Sequence, residues 1–441
     1  MKRVYIETYG CQMNVADTEV ILGLLGREGY AATDDPGAAD VMLVNTCAVR
    51  DRAEQRVIGR LGELQRYKRP GVVLGVVGCM AQRLGPTLLE QAPYVDLVIG
   101  PDGYRALPEL IEGARGGARA AETTFKAWEH YEDIPLERTG RVGAFVTVQR
   151  GCDYRCTFCI VPMTRGPERS RRLADVLTEV RRLAAETVTE VTLLGQTVNS
   201  YHDGEHDFAE LLRAVGAVPG IRRVRFTSPY PTDFTDRVVA AMAEVPAVCE
   251  HVHLPAQSGS SRVLKRMGRR YTRERYLECV ARLRQAIPEI AITTDLIVGF
   301  PGETETDFAR TESLVREVGF DGAFTFKYSP REGTGALRLP DAIPDEVAGE
   351  RLERLIETVR AVARQRNMRL VGSTHEVLVE KLAKRGGLLQ TRTRTNKVVL
   401  VDGPTDSIGS YLDVRLTGTT GSTFTGVPVP VTVGRELAIW R

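Results

Sequence analysis

Along the first 330 residues, extended apolar stretches alternate with amphipathic ones, and this alternation limits the fold more than any other feature of the chain. "RVYIETYG" precedes the helical pattern "NVADTEVILGLLGREGY", "ADVMLVNTC" precedes "AVRDRAEQRVIGRLGELQRYK", and "GVVLGVVGC" precedes "MAQRLGPTLLEQAP", with "VDLVIGPD" closing the series. Strand, helix, strand, helix predicts an open parallel α/β sheet with right-handed crossovers. A glycine- and alanine-rich run at 113–122 and the irregular stretch after it read as a linker. Six more extended segments follow: "AFVTVQRG", "VTEVTLLG", "RRVRFTS", "VCEHVHLP", "IAITTDLIVGF" and "GAFTFKYS". Amphipathic stretches separate them. Six β/α units predict a partial version of the eight-fold barrel, open on one side, with its site at the C-terminal ends of the strands. Leu352, Leu355, Ile356, Val359 and Val362 recur at helical spacing in 345–370. Beyond them, short strands with glycine turns predict a small β-barrel. The expected class is α/β, with domains at 1–122, 138–370 and 371–441.

At 441 residues, about three domains is the prior. No apolar run reaches the ~18–20 residues of a membrane span, and Glu7 interrupts the basic start before a signal-peptide core can form. A cytoplasmic, monomeric protein with no membrane association is expected. Eight unevenly spaced cysteines in such a chain are metal ligands or buried thiols rather than a disulfide framework. The net charge of +2 says nothing about partners, because local clusters cancel.

The sharpest motif is "GCDYRCTFCIVPMTRG", where Cys152, Cys156 and Cys159 form C-x3-C-x2-C just after the first strand of the barrel-like segment. Three thiolates on a tight loop can hold three irons of a four-iron cluster and leave the fourth open. An open metal position is where a substrate or cofactor binds. The competing reading is a zinc knuckle or structural thiols, although a zinc site wants a fourth ligand, and none lies nearby in sequence. The motif, with Phe158 just before the third cysteine and six β/α units behind it, resembles the radical S-adenosylmethionine superfamily over about 140–370. The resemblance implies a [4Fe-4S] cluster that chelates S-adenosyl-L-methionine on its open iron, and release of a 5′-deoxyadenosyl radical on electron transfer. Loops after later strands, "GQTVNSY", "SPYP", "PAQSG" and "GFPGE", are then the expected cofactor contacts, with Phe158, Gly195, Gln196, Asn199 and Gln257 as candidates. Each is equally readable as an ordinary turn. His251 and His253 alternate on one strand and read as a locally hydrogen-bonded pair, with metal ligation the alternative, and Cys249 and Cys279 as buried small apolar residues.

Cys11, Cys47 and Cys79 each sit just past the end of a predicted strand, separated by 36 and 32 residues. In a parallel sheet those ends share one edge, where open α/β folds bind ligands, so the three thiols can converge on a second cluster. Three inert buried cysteines are the alternative. Together "TYGCQMN", "NTCAVRDRAEQRV", "GCMAQR", "GCDYRCTFCIVPMTRGPERSR", "HLPAQSGS" and "DLIVGFPGET" resemble the methylthiotransferase family over essentially the whole chain. The wording around Cys11 is similar to the branch acting on N6-isopentenyladenosine beside the tRNA anticodon. The resemblance implies two [4Fe-4S] clusters, the one on Cys152, Cys156 and Cys159 making the radical. The auxiliary one on Cys11, Cys47 and Cys79 delivers sulfur to carbon 2 of adenine, and a second S-adenosyl-L-methionine gives the methyl group. It also implies a TRAM-like C-terminal barrel, an electron donor such as a flavodoxin or ferredoxin, and a sulfur donor. Threonylcarbamoyladenosine in tRNA or a ribosomal protein are alternative substrates. A non-catalytic zinc-dependent RNA-binding protein is the reading from a different class.

RNA affinity should come from phosphate contacts. Three basic stretches are candidates: 164–172, 261–275, and the acid-free 381–397 with Lys381, Lys384, Arg385, Arg392, Arg394 and Lys397. Each could also be a solvated face.

Overall fold

The computed structural model describes residues 1–441 apart from 49, 50, 135, 139–141, 385 and 430–441, and apart from the side chains of 51–55. The first unit is a six-stranded parallel sheet in the order β2-β1-β3-β4-β5-β6. Its strands are β1 (Lys2–Tyr9), β2 (Tyr30–Ala32), β3 (Val41–Thr46), β4 (Val73–Gly78), β5 (Leu97–Ile99) and β6 (Ala120–Glu122). The helices are α1 (Gln12–Arg27), α2 (Asp51–Leu64), α3 (Cys79–Leu84), α4 (Pro86–Gln91) and α5 (Leu107–Arg115). β3 and β4 are buried at every position because helices cover both faces, and this is why "VMLVNT" and "VLGVVG" read as near-continuous apolar runs. Val41 and Leu43 join one core with α1 and α5, while Met42 and Val44 join the other with α2, α3 and α4.

Two expectations are corrected here. The glycine-rich stretch at 113–122 is no linker: it finishes α5 and supplies β6, the edge strand paired in parallel with β5. "MAQRLGPTLLEQAP" is two short helices, because Pro86 lacks the N–H that a continuing helix needs and so starts a new one.

The second unit contains β7 (Gly143–Thr147), β10 (Glu190–Leu194), β11 (Arg223–Phe226), β12 (His251–His253), β13 (Ala291–Val298) and β14 (Gly322–Lys327), with the short pair β8 (Gln149–Arg150) and β9 (Arg169–Ser170). Order β11-β10-β7 and order β12-β13-β14 are both parallel, and a parallel bridge from Val224 to Val248 joins them. β7 and β14 are therefore the two free edges of an open partial barrel. The covering helices α7 (Leu173–Ala185), α8 (Phe208–Gly216), α9 (Asp236–Glu244), α11 (Arg273–Ala286), α12 (Glu305–Val318) and α13 (Asp345–Met368) each follow a strand, with the short α6 (Val161–Arg165) and α10 (Ser261–Arg266) in loops. Val252, Ile292, Leu296 and Val298 pack outward in the core shared with these helices. By the two-residue period of a strand, His253, Thr293 and Asp295 face the lumen.

The third unit is a closed barrel, β15-β16-β17-β19-β18, made of β15 (Thr374–Leu382), β16 (Leu389–Thr393), β17 (Val398–Val401), β18 (Tyr411–Thr419) and β19 (Thr423–Pro428). It docks beneath the partial barrel, against the N-terminal ends of its strands. Thr189, one residue before β10, bonds Tyr411, Arg223 at the start of β11 bonds Glu376, Glu250 before β12 takes Arg394, and Asp321 before β14 takes Lys397. The C-terminal mouth is left for the first unit, whose α1 packs through Met13 and Ala16 on Phe145 of β7 and Leu194 of β10.

Candidate active site between two cysteine sets

The strand order 2-1-3-4-5 reverses direction at β1 and β3, the place where open α/β sheets bind ligands. Tyr9 pairs with Thr46 and Thr46 with Gly78, so Cys11, Cys47 and Cys79 leave three adjacent strands at nearly one level. Cys47 N–H donates to Tyr9 O at 2.9 Å. Asn14 holds the turn, accepting from Cys11 N–H at 3.2 Å and donating to Asn45 Oδ1 at 3.0 Å and Thr46 O at 3.1 Å. A hydrogen bond from the Cys47 thiol draws the Cys11 thiol down to about 6, against the effect of burial and helped by the Arg165 charge. Burial pushes Cys79 the other way, with Arg165 opposing it.

Cys152, Cys156 and Cys159 follow β7 and β8. Gly151 precedes them at φ +78°, and a Cβ there would lie 1.9 Å from Pro167 O, so the chain enters the loop only as glycine. Cys152 Sγ lies 3.2 Å from Thr197 Oγ1, and Cys159 N–H donates to Cys156 O at 3.0 Å. Thr157 pins the loop between the end of α10, through Met267 O at 2.9 Å, and Ala336, whose N–H it accepts at 2.7 Å. Burial pushes the Cys159 thiol up to about 12.

The loop that carries one set packs against the other set at the domain junction. Ile160, directly after Cys159, packs with Ala48, the residue after Cys47, and with Cys79 itself. Beside this contact Arg165 Nε donates to Cys79 Sγ at 3.1 Å and its Nη2 to Asp17 at 2.6 Å, while Arg150 reaches the same carboxylate at 3.2 Å. Asp17, Arg150 and Arg165 are 0%, 2% and 3% exposed. Sequence reasoning missed Asp17 and Arg150 and took Arg165 for part of an RNA-facing run, since their partners lie 133 and 148 residues away.

Of the cofactor candidates, Phe158 packs edge-on to Phe300 beside Ile297, with Arg269 over its ring at 5.6 Å. Gly195 directly follows β10, where a Cβ would meet Gln149 Oε1 at 2.6 Å, so its close approach is to the protein itself. Gln196 Oε1 is buried with no partner among the described residues, an acceptor left for something else. Asn199 Nδ2 donates to Tyr230 O at 2.9 Å and its Oδ1 accepts Tyr230 N–H at 2.7 Å, which clips two mouth loops together. Gln257 sits at φ +66° and stitches its loop to β13 by backbone bonds to Asp295 and Ile297. Such left-handed non-glycine residues cluster at functional sites. His251 and His253 share Thr293 Oγ1, as the local reading expected. In the lumen His253 Nε2 also lies 3.3 Å from Asp295, and the exposed Phe324 ring stands edge-on 5.8 Å away.

Within the basic stretches many cations have partners inside the protein. Arg392 pairs with Glu380, Arg394 binds Glu250 at 2.7 Å with the carbonyls of Pro246 and Val248, and Lys397, 7% exposed, binds Asp321 at 2.6 Å and Asn367 at 2.8 Å. These three hold the third unit together and onto the second. Lys381 and Lys384 are exposed, and Arg385 lies outside the described residues. In 164–172, Arg169 pairs with Asp102 and Arg171 with Glu179. In 261–275, Arg262 pairs with Asp307 and Arg273 with Glu317.

The donor chemistry suits iron–sulfur clusters: thiols in threes, with Cys11, Cys79 and Cys152 directly after a glycine and Arg165 beside Cys79. Among the described residues no three His, Cys, Asp or Glu side chains gather closely enough for a single metal ion. A four-iron cluster spreads its thiolates around a larger body.

Family comparisons cover all three units. Residues 3–100 match the uncharacterized protein family UPF0004, 146–315 the radical SAM superfamily, and 368–429 the TRAM domain. A tRNA-2-methylthio-N(6)-dimethylallyladenosine synthase from Geotalea uraniireducens is 47% identical over 94% of this chain and 96% of its own length. One from Porphyromonas gingivalis is 46% identical over 96% and 94%. The chain belongs to this methylthiotransferase family. Among solved structures, the radical S-adenosylmethionine methyltransferase TsrM from Kitasatospora setae aligns with TM-score 0.57 at 17% identity, covering 76% of this chain and 77% of that one. The cobalamin-dependent enzyme OxsB aligns at 0.54 and 13%, over 82% and 58%. These likenesses concern the fold. No helix among the described residues is long and apolar enough to cross a membrane.

Proposed function

We propose that this chain is a tRNA-2-methylthio-N6-dimethylallyladenosine synthase, which methylthiolates carbon 2 of N6-isopentenyladenosine next to the anticodon. The observation that supports the reading is the packing of Ile160, next to Cys159 of one cysteine set, on Cys79 of the other, in a chain 47% identical to a relative of that name.

Cys152, Cys156 and Cys159 would hold the radical-forming [4Fe-4S] cluster, and Cys11, Cys47 and Cys79 the auxiliary one. With S-adenosyl-L-methionine bound, these groups supply a carbon radical able to take an unactivated hydrogen, together with the sulfur and the methyl group. The protein's own residues position and shield. Gln196 offers a buried acceptor at the mouth, Phe158 and Phe300 wall the cluster loop with apolar surface, and the loop's pinning at Thr157 keeps its thiols fixed. The adenine leaves the anticodon-loop stack and enters the lumen by the open side between β7 and β14, where Phe324 offers a stacking face and Asp295 an acceptor for N6–H. Lys381 and Lys384 contribute phosphate contacts from the TRAM barrel. The enzyme works as a cytoplasmic monomer, supplied by a one-electron donor such as a flavodoxin or ferredoxin and by a sulfur donor. The three functional units are 1–122, 138–370 and 371–441.

Mass spectrometry of digested tRNA from cells with and without the gene tests this: the 2-methylthio-N6-isopentenyladenosine signal should vanish with the gene. An unchanged level would reject the tRNA substrate.

A further inference from the structure

Two guanidinium groups share one carboxylate in the sealed junction between the first and second units. Asp17 on α1 accepts from Arg150 and Arg165, and none of the three is more than 3% exposed. The single Asp17 carboxylate is thus divided between two guanidinium groups, and Arg150 also lies over the Tyr131 ring at 5.1 Å, while the neighbouring Arg169 takes Asp102. An uncompensated buried charge costs several kcal/mol unless an opposite charge lies against it. Arg165 shows where that charge belongs. Its Nε already donates to Cys79 Sγ at 3.1 Å, and its Nη1 is buried with no hydrogen-bond partner among the described residues. Arg165 ends α6, six residues after Cys159, so the loop carrying one cysteine set also delivers a cation to the other.

We propose that Arg165 is a positioning residue of the auxiliary cluster, a buried counter-charge and N–H donor to its Cys79 thiolate, with Asp17 setting how much of its charge the cluster feels. The proposal rests on the ligand assignment made above. Three thiolates around a four-iron core in its oxidised, doubly positive state leave one negative charge, and the Arg165 guanidinium lies directly against it at Cys79 Sγ. One-electron reduction adds a second negative charge, and the nearby cation favours that state. Arg165 thus raises the midpoint potential and Asp17 lowers it.

The test uses the full chain with Cys152, Cys156 and Cys159 replaced by alanine, so that only the auxiliary cluster loads, titrated with dithionite and mediators and read by electron paramagnetic resonance. Arg165→Gln should make the cluster about tenfold harder to reduce, ~59 mV for one electron. Asp17→Asn should move the midpoint the opposite way, and Arg165→Lys, which keeps the charge, should fall between Gln and the parent. Loss of packing alone would not give opposite signs at two partners in one ion pair. Midpoints that stay put, or that move in the same direction for Arg165→Gln and Asp17→Asn, overturn the proposal. If Arg165→Gln fails to load, Asp17→Asn decides by itself, a rise supporting the proposal and no change overturning it. A parent without any cluster would overturn the ligand assignment and the proposal with it.

Discussion

Asn14 and Asn45 share a side-chain hydrogen bond of 3.0 Å, fully buried beneath the turns that carry Cys11 and Cys47. Asn45 Nδ2 returns the contact, donating to Asn14 O at 2.8 Å and to Thr18 at 2.9 Å. The pair ties the start of α1 to the end of β3, so that two thiols distant in sequence stand at one level. Replacing Asn14 by alanine leaves buried partners unsatisfied, at about 1–3 kcal/mol each. Asn14→Ala should lower thermal stability and lose the auxiliary cluster while keeping the other. Iron and sulfide analysis of the reconstituted variant, beside its melting curve, checks this.

Gly151 makes the matching demand on the second set. Alanine there adds a Cβ 1.9 Å from Pro167 O at a backbone angle that favours glycine. Gly151→Ala should abolish cleavage of S-adenosyl-L-methionine and leave the auxiliary cluster in place. Chromatography for 5′-deoxyadenosine, together with iron content, reads both halves.

In metal-free protein the thiols should separate by pH. Hydrogen bonding from Cys47 favours the Cys11 thiolate, which forms as pH rises through about 6, whereas burial holds Cys159 protonated up to about 12. Iodoacetamide at pH 7 should therefore label Cys11 well ahead of Cys159. Peptide mass spectrometry of chelator-stripped chain gives the order, and equal labelling at pH 7 would contradict it.

The basic stretch at 381–397 yields a paired expectation. Lys381→Ala with Lys384→Ala should weaken binding of the anticodon stem-loop and flatten its salt dependence by about one unit of slope per lysine, with stability unchanged. Arg394→Ala should cost roughly 1.5–3 kcal/mol of docking, the range for hydrogen bonds to charged groups, and open the α13–β15 connection to protease. Its salt slope should stay near that of the parent. Fluorescence anisotropy across a salt series and timed proteolysis distinguish the two.

The parts legible in the sequence were those written in local patterns. Strand and helix periods placed the six barrel strands and the sheet, and a cysteine at the end of each of three strands placed Cys11, Cys47 and Cys79 together before any contact was known. What stayed hidden depends on partners far along the chain. Arg394 looks like a free cation until Glu250, 144 residues away, is beside it. Asp17 looks like an ordinary helix residue until Arg150 and Arg165 close over it. The run at 113–122 misled for a different reason: glycine and alanine carry too little side chain to signal a short edge strand, and only pairing with Leu97–Ile99 makes β6 a strand.

The central claim is that the two cysteine sets divide the chemistry, and Cys11→Ala measures it most directly. Reconstituted without oxygen and given S-adenosyl-L-methionine, reductant and N6-isopentenyladenosine-containing stem-loop, the variant should still produce 5′-deoxyadenosine and form no 2-methylthio product. Loss of 5′-deoxyadenosine with the cluster on Cys152, Cys156 and Cys159 intact, or undiminished methylthio product, would contradict that division.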